Sequence, residues 1–151
     1  MPSNSVKHNS RIILIQKLFE KDFFSSNEND LFIGREQDLF PNSILKQISE
    51  VTKVDKDYIN IIIESFPKNK EKIDAIISNL APEWPIENIA KLDIAILRLS
   101  ILEGFIIKIT PEKVSINEAI DLAKEFSNDQ SRKFISGVLG NLYSNQEKYL
   151  C

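Results

Sequence analysis

The chain has 151 residues, 42% of them hydrophobic, enough for one domain with one sizeable core. Four glycines exclude a collagen-like or flexible chain, and a formal charge of −3 gives no global sign of a nucleic-acid binder. The single cysteine, Cys151, excludes a disulfide framework and a thiolate metal cluster.

The charge is unevenly spread. Residues 1–21 carry four basic groups (Lys7, Arg11, Lys17, Lys21) against Glu20, a local +3. Residues 122–151 hold four basic and three acidic groups, so −7 falls on residues 22–121. A basic end and an acidic body suit different partners.

In chain order the pattern is helical, with no convincing period-2 strand. Ile12, Ile15, Leu18 and Phe19 predict a helix over about 6–24. Residues 25–42, rich in Ser, Asn, Asp and Glu, read as a long loop, and a short helix follows at about 43–51. Asp55 is placed to cap a helix carrying Ile59, Ile62, Ile63 and Phe66, which Pro67 should bend or break before Ile73, Ile76, Ile77 and Leu80 resume it. "APEWP" reads as a turn, with Pro85 opening a short helix.

Residues 91–108 are apolar on nearly all sides, which predicts the central buried helix. Arg98 and Glu103 interrupt it, and must either find partners or reach the surface. Ser115–Glu118 and Ser127–Gln130 both read as capping boxes, predicting helices over about 116–126 and 128–143. Gly137, inside the second, suggests close helix contact. The tail 145–151 reads as frayed, leaving 1–144 as a single domain. The longest apolar region is interrupted by Arg98, Glu103 and Lys108, so it does not span a membrane, and a cytoplasmic location is the default.

Little material for catalysis is present. His8 is the only histidine. No HExxH, phosphate-binding Gly-rich loop or Gly-x-Ser-x-Gly elbow occurs. The reading is a non-enzyme without cofactor or metal.

Three segments carry a specific likeness. "PEKVSINEAIDLAKEFSNDQSRKFISGVLG", "LDIAILRLSILE" and "RIILIQKLF" resemble, in order and spacing over about 135 residues, the signature segments of the NusB family. The resemblance implies an all-α, compact multi-helix bundle of the NusB type, about seven helices in two packed sub-bundles. It implies an RNA-binding transcription antitermination factor that binds boxA-type single-stranded RNA together with the ribosomal protein NusE. RNA polymerase with other Nus factors is the implied destination, and a homodimer a further implied association. Because no methyltransferase domain follows, the free-standing factor is expected rather than the related domain of RNA methyltransferases.

Carried over by position, the implied RNA-binding residues are Lys7, His8, Arg11 and Phe19 in the first helix and Arg132, Lys133 and Phe134 at the start of the last. Phe134 would equally suit the core beside Val138. The family's arginine-rich opening is thinned to "KHNSR", Phe19 replaces the usual Tyr, and Ser136 the usual Asn. Glu87 and Asp93, read as exposed carboxylates at the start of the central helix, fall where the family docks NusE; they would equally complement helix dipoles. Two competing readings stay open. One is a helical interaction or assembly module that has lost or weakened RNA binding; the other, duplex DNA binding, is disfavoured by the apolar "FISGVL".

Overall fold

A computed structural model describes residues 2–23 and 54–150, apart from the side chains of 2–5, 20–23 and Glu87. The described residues form six α-helices: α1 (Pro2–Phe23), α2 (Lys56–Leu80), α3 (Lys91–Ile101), α4 (Glu112–Phe126), α5 (Asp129–Ser144) and α6 (Gln146–Leu150). A 3₁₀ turn at Ile86–Asn88 precedes α3, and no strand occurs among the described residues. The expected loop at 25–42 and short helix at 43–51 lie outside them.

α3 is the axis of the bundle, in contact with α1, α2, α4 and α5. Every residue from Asp93 to Phe105 is buried, so its apolar side chains reach neighbours all round. Each large apolar side chain removed from water contributes about 1.5–3 kcal/mol before conformational entropy is charged. The neighbours each contribute one stripe, such as Ile12, Ile15 and Leu18 from α1 and Ile135, Val138, Leu139 and Leu142 from α5.

The helix predicted over 91–108 changes geometry after Ile101, where a π-helical turn spans Leu102–Ile106. It is closed by Lys108 in the left-handed region (φ 55°), with the Ile109 and Thr110 amides both donating to the Glu103 carbonyl. A Cβ on Gly104, within this turn, would lie 2.7 Å from the Ser115 Cβ. The close helix approach expected at Gly137 is therefore found at Gly104, while a Cβ on Gly137 would meet nothing within 4 Å.

Other expectations need correction. α2 runs unbroken through Pro67, which is exposed, while Ile62, Phe66, Ile73, Ile76 and Ile77 are buried along the same helix. That burial on both sides of the proline outweighs its lost backbone bond. Ser115 caps nothing: α4 already starts at Glu112, after Pro111, and Ser115 is buried with its hydroxyl donating to the Ser100 carbonyl (2.7 Å). Asn128, rather than Ser127, caps α5 by accepting the Ser131 amide (2.8 Å). Asp55 caps α2 as expected, accepting the Tyr58 amide at 3.0 Å. The tail read as frayed carries α6, whose half-buried Tyr149 and Leu150 pack on the core.

Arg98 and Glu103 both stay inside. Arg98 donates through Nε and Nη2 to the two carboxylate oxygens of Asp74, at 2.9 Å each. No helix among the described residues is long and apolar enough to cross a membrane.

Candidate nucleic-acid interface

Lys7, His8 and Arg11 of α1 each meet carboxylates of other elements. Lys7 Nζ lies 3.0 Å from Asp55 Oδ2 and 4.3 Å from the centre of the Tyr58 ring. His8 reaches α4, with Nε2 2.8 Å from Glu125 Oε2 and Nδ1 3.6 Å from Glu118 Oε2. Arg11 is buried, its Nη2 donating to Glu103 Oε1 at 2.7 Å and its Nε to the same carboxylate at 3.2 Å. The Tyr58 hydroxyl donates to the other oxygen of Glu103.

These contacts shift the titrations. Burial works against the Arg11 charge, but the hydrogen bonds and charge of Glu103 overcome it and raise its pKa. Tyr58 is pushed up, first by burial and then by the charge of Glu103. Glu118 leads in raising the His8 pKa, with Glu125 adding to it against burial; His8 in turn lowers Glu118. Asp55 is lowered by the Tyr58 amide and then by Lys7.

The second set lies at the start of α5. Arg132 donates to Asp129 Oδ1 through Nε and Nη2 (3.0 and 2.7 Å), and Lys133 Nζ lies 3.4 Å from Asp129 Oδ2. These bonds hold the exposed Asp129 below its ordinary value, Arg132 foremost. The Lys133 side chain is 70% exposed. Phe134 is partly buried against the core and forms part of the wall of two cavities beside Trp84.

The structure thus groups Lys7, His8 and Arg11 on one helix, and Arg132, Lys133 and Phe134 on another. The carboxylate partners of the first group are not those of the second. Phe19 is partly buried against the core rather than presented as an open stacking face.

Asp93 differs from its reading as an exposed carboxylate: it is 6% exposed, because α5 lies over it and the Ser131 hydroxyl donates to its Oδ2 at 2.9 Å. Burial raises its pKa, partly offset by Ser131. Glu87 lies outside the described side chains.

Sequence reasoning passed over Tyr58, the ring beneath Lys7 and Arg11, and Trp84. Only Trp84 left a signal: a lone tryptophan in a proline-flanked turn has little core to join, and it is 54% exposed. No group of three or more His, Cys, Asp or Glu side chains that could hold a metal occurs among the described residues.

Together these features define an all-α bundle built on one buried central helix, with a basic first helix docked across it. A family model described as the NusB family matches residues 8–144. The chain is 35% identical over 139 residues to the transcription antitermination protein NusB of Clostridium acetobutylicum, covering 92% of this chain and 96% of that protein. Against the protein of the same name from Alkaliphilus oremlandii, identity is 38%, with 91% and 92% covered. The chain belongs to the NusB family. Among solved structures, NusB from T. maritima superposes with a TM-score of 0.70 at 25% identity, covering 95% of this chain and 96% of that one. The fold is also that of a chain in a crystal structure of the antitermination factors NusB and NusE in complex with dsRNA (TM-score 0.67, 20% identity, 91% and 95% covered).

Proposed function

We propose that this protein is a non-enzymatic, cytoplasmic transcription antitermination factor that binds boxA-type RNA together with NusE and joins RNA polymerase with other Nus factors. The observation that carries this reading is the family match from residue 8 to residue 144, which takes in His8 and Arg11 of α1 and Arg132 and Lys133 of α5. The names of the two curated relatives and the complex of a protein of the same fold with NusE and RNA support it.

The geometry supports a weak grip by this chain alone. RNA is held by basic groups on its backbone and by rings under its bases. Here Lys7, His8, Arg132 and Lys133 already face carboxylates, so a phosphate gains only what it offers beyond Asp55, Glu118, Glu125 or Asp129. Arg11 serves from inside, holding α1 against the π-helical turn that follows α3 through Glu103, while Lys7, His8, Arg132 and Lys133 meet the RNA. About three neutralised phosphates give a single-strand salt slope of roughly −2, or about 20-fold weaker binding from 50 to 200 mM salt. A basic partner such as NusE, docked beside Glu87 and Asp93, would complete the RNA surface.

The test is fluorescence anisotropy of labelled boxA RNA, single-stranded and as a duplex, with and without NusE at two salt concentrations. Tight, partner-dependent binding that a scrambled RNA does not match is expected. A folded protein that binds neither RNA form in either condition would overturn the RNA role. The assembly-module reading would then lead, favoured by the carboxylate pairing of Lys7 and His8.

A further inference from the structure

His8 sits between α1 and α4, and its two ring nitrogens face two different carboxylates of α4. Nε2 lies 2.8 Å from Glu125 and Nδ1 3.6 Å from Glu118. A neutral imidazole carries one N–H and one lone pair, so it offers a proton to one carboxylate and turns its lone pair on the other. Only the imidazolium suits both. The His8 side chain is 25% exposed and that of Glu125 49%, so a proton or a phosphate can reach the ring. The other charges nearby are already engaged. Glu118 is shared with Arg11 Nη1 at 3.6 Å, Arg11 is bound to Glu103 of the π-helical turn, and Lys7 meets Asp55 and the Tyr58 ring.

From this geometry we infer that His8 is a proton-operated clasp, which couples the RNA binding proposed above to the uptake of one proton. Doubly protonated, the ring holds both carboxylates of α4 and lends a positive charge to the RNA-facing edge. On releasing one proton to solvent it gives up one carboxylate and withdraws that charge.

Among the basic groups assigned to the RNA, His8 is the one whose charge changes near neutral pH, since Lys7, Arg132 and Lys133 keep theirs. Neutralisation also leaves Glu118 and Glu125 with one positive charge fewer beside the phosphates. Lost attraction and added repulsion therefore act in the same direction. Glu118 and then Glu125 raise the His8 pKa of the free protein above the ordinary 6.5, against burial, and an adjoining phosphate raises it further. The RNA-bound protein thus keeps the proton to higher pH. Affinity is level below the free-protein value, falls as pH rises through it, and levels off above the bound value. One proton limits the fall to about tenfold per pH unit.

His8 is the only histidine of the chain, so its ring protons are an unambiguous NMR probe. Labelled single-stranded boxA RNA would be titrated with the full-length protein and NusE between about pH 6 and pH 8.5, above the ordinary carboxylates and below the lysines. Wild-type affinity should fall by about tenfold across that range, whereas His8→Arg stays at the tight end and His8→Gln at the weak end. Titration of NusE or of the RNA is common to all three proteins and cancels in the comparison. By NMR, RNA should move the His8 titration of the wild-type chain to higher pH. That measurement needs no variant, so a variant that fails to fold leaves the test intact. A His8 titration that bound RNA leaves in place, or parallel wild-type and His8→Gln affinity profiles, would overturn the clasp and keep the RNA role. RNA binding by none of the three folded proteins at any pH would sink the RNA role and the coupling with it.

Discussion

Arg11 and Glu103, 92 positions apart, form a two-point ion pair inside the protein, at 4% and 1% side-chain exposure, with the Tyr58 hydroxyl donating to Oε2 of the same carboxylate. One residue lies on the first helix and the other in the π-helical turn of the central helix. The pair therefore ties the basic segment to the core, in a place where neither charge can be left alone.

That arrangement fixes the effect of breaking it. Arg11→Met strands a buried carboxylate, which costs about 3–5 kcal/mol. At roughly 2–4 °C per kcal/mol for a chain of this length, the melting temperature should drop by about 10 °C. Arg11→Met combined with Glu103→Met should lose less than Arg11→Met alone, because no unpaired charge remains. Circular-dichroism melts of the two variants check this; a double variant at least as unstable as Arg11→Met would refute it.

His8 makes the fold sensitive to pH. Its folded pKa is raised above the ordinary 6.5, so its stabilising contribution is fully present below about pH 6.5 and lost as pH rises through the folded value. Wild-type stability should therefore decline over that rise relative to His8→Gln, which has no proton to lose. Urea midpoints of both proteins at several pH values measure the difference. Parallel curves would remove His8 from the account.

Gly104 and Gly137 should answer alanine with opposite signs. Gly104→Ala places a methyl 2.7 Å from the Ser115 Cβ, an overpacking that costs about 1–3 kcal/mol. Gly137→Ala has open space and gains helix propensity, a stabilisation of about 1 kcal/mol. Thermal melts decide both.

Sequence periodicity reveals which residues share a stripe but not what the polar residues between stripes do. The stripes of α1, α2 and α5, the buried character of α3 and the Asp55 cap were therefore legible. Ser115 and Glu118 show where legibility ends. Ser-x-x-Glu is the pattern of a capping box, yet here the serine bonds Ser100 in the neighbouring helix and the glutamate meets His8 and Arg11. Both uses need a short hydroxyl and a carboxylate one turn apart, so only the tertiary partner separates them. Asp93 follows the same logic. A carboxylate in a first helical turn is normally solvated, and nothing local announces that Ser131 of another helix covers it. Of the candidate site, the basic groups were legible as residues, whereas their carboxylate partners belong to the fold.

Asp129 offers the most direct test of how those partners limit RNA binding. Its two oxygens engage Arg132 and Lys133, so a phosphate arriving at the start of α5 competes with a carboxylate already in place. Asp129→Asn removes the competing charge and leaves the cap residue Asn128 untouched. RNA affinity should rise severalfold, and the salt slope should steepen by about 0.7 for each phosphate newly engaged. The slope is the sharper readout, because a general gain in foldedness would raise affinity without changing it. An Asp129→Asn protein with unchanged affinity and slope would place the RNA away from α5 and leave Lys7 and His8 of α1 as the remaining contact.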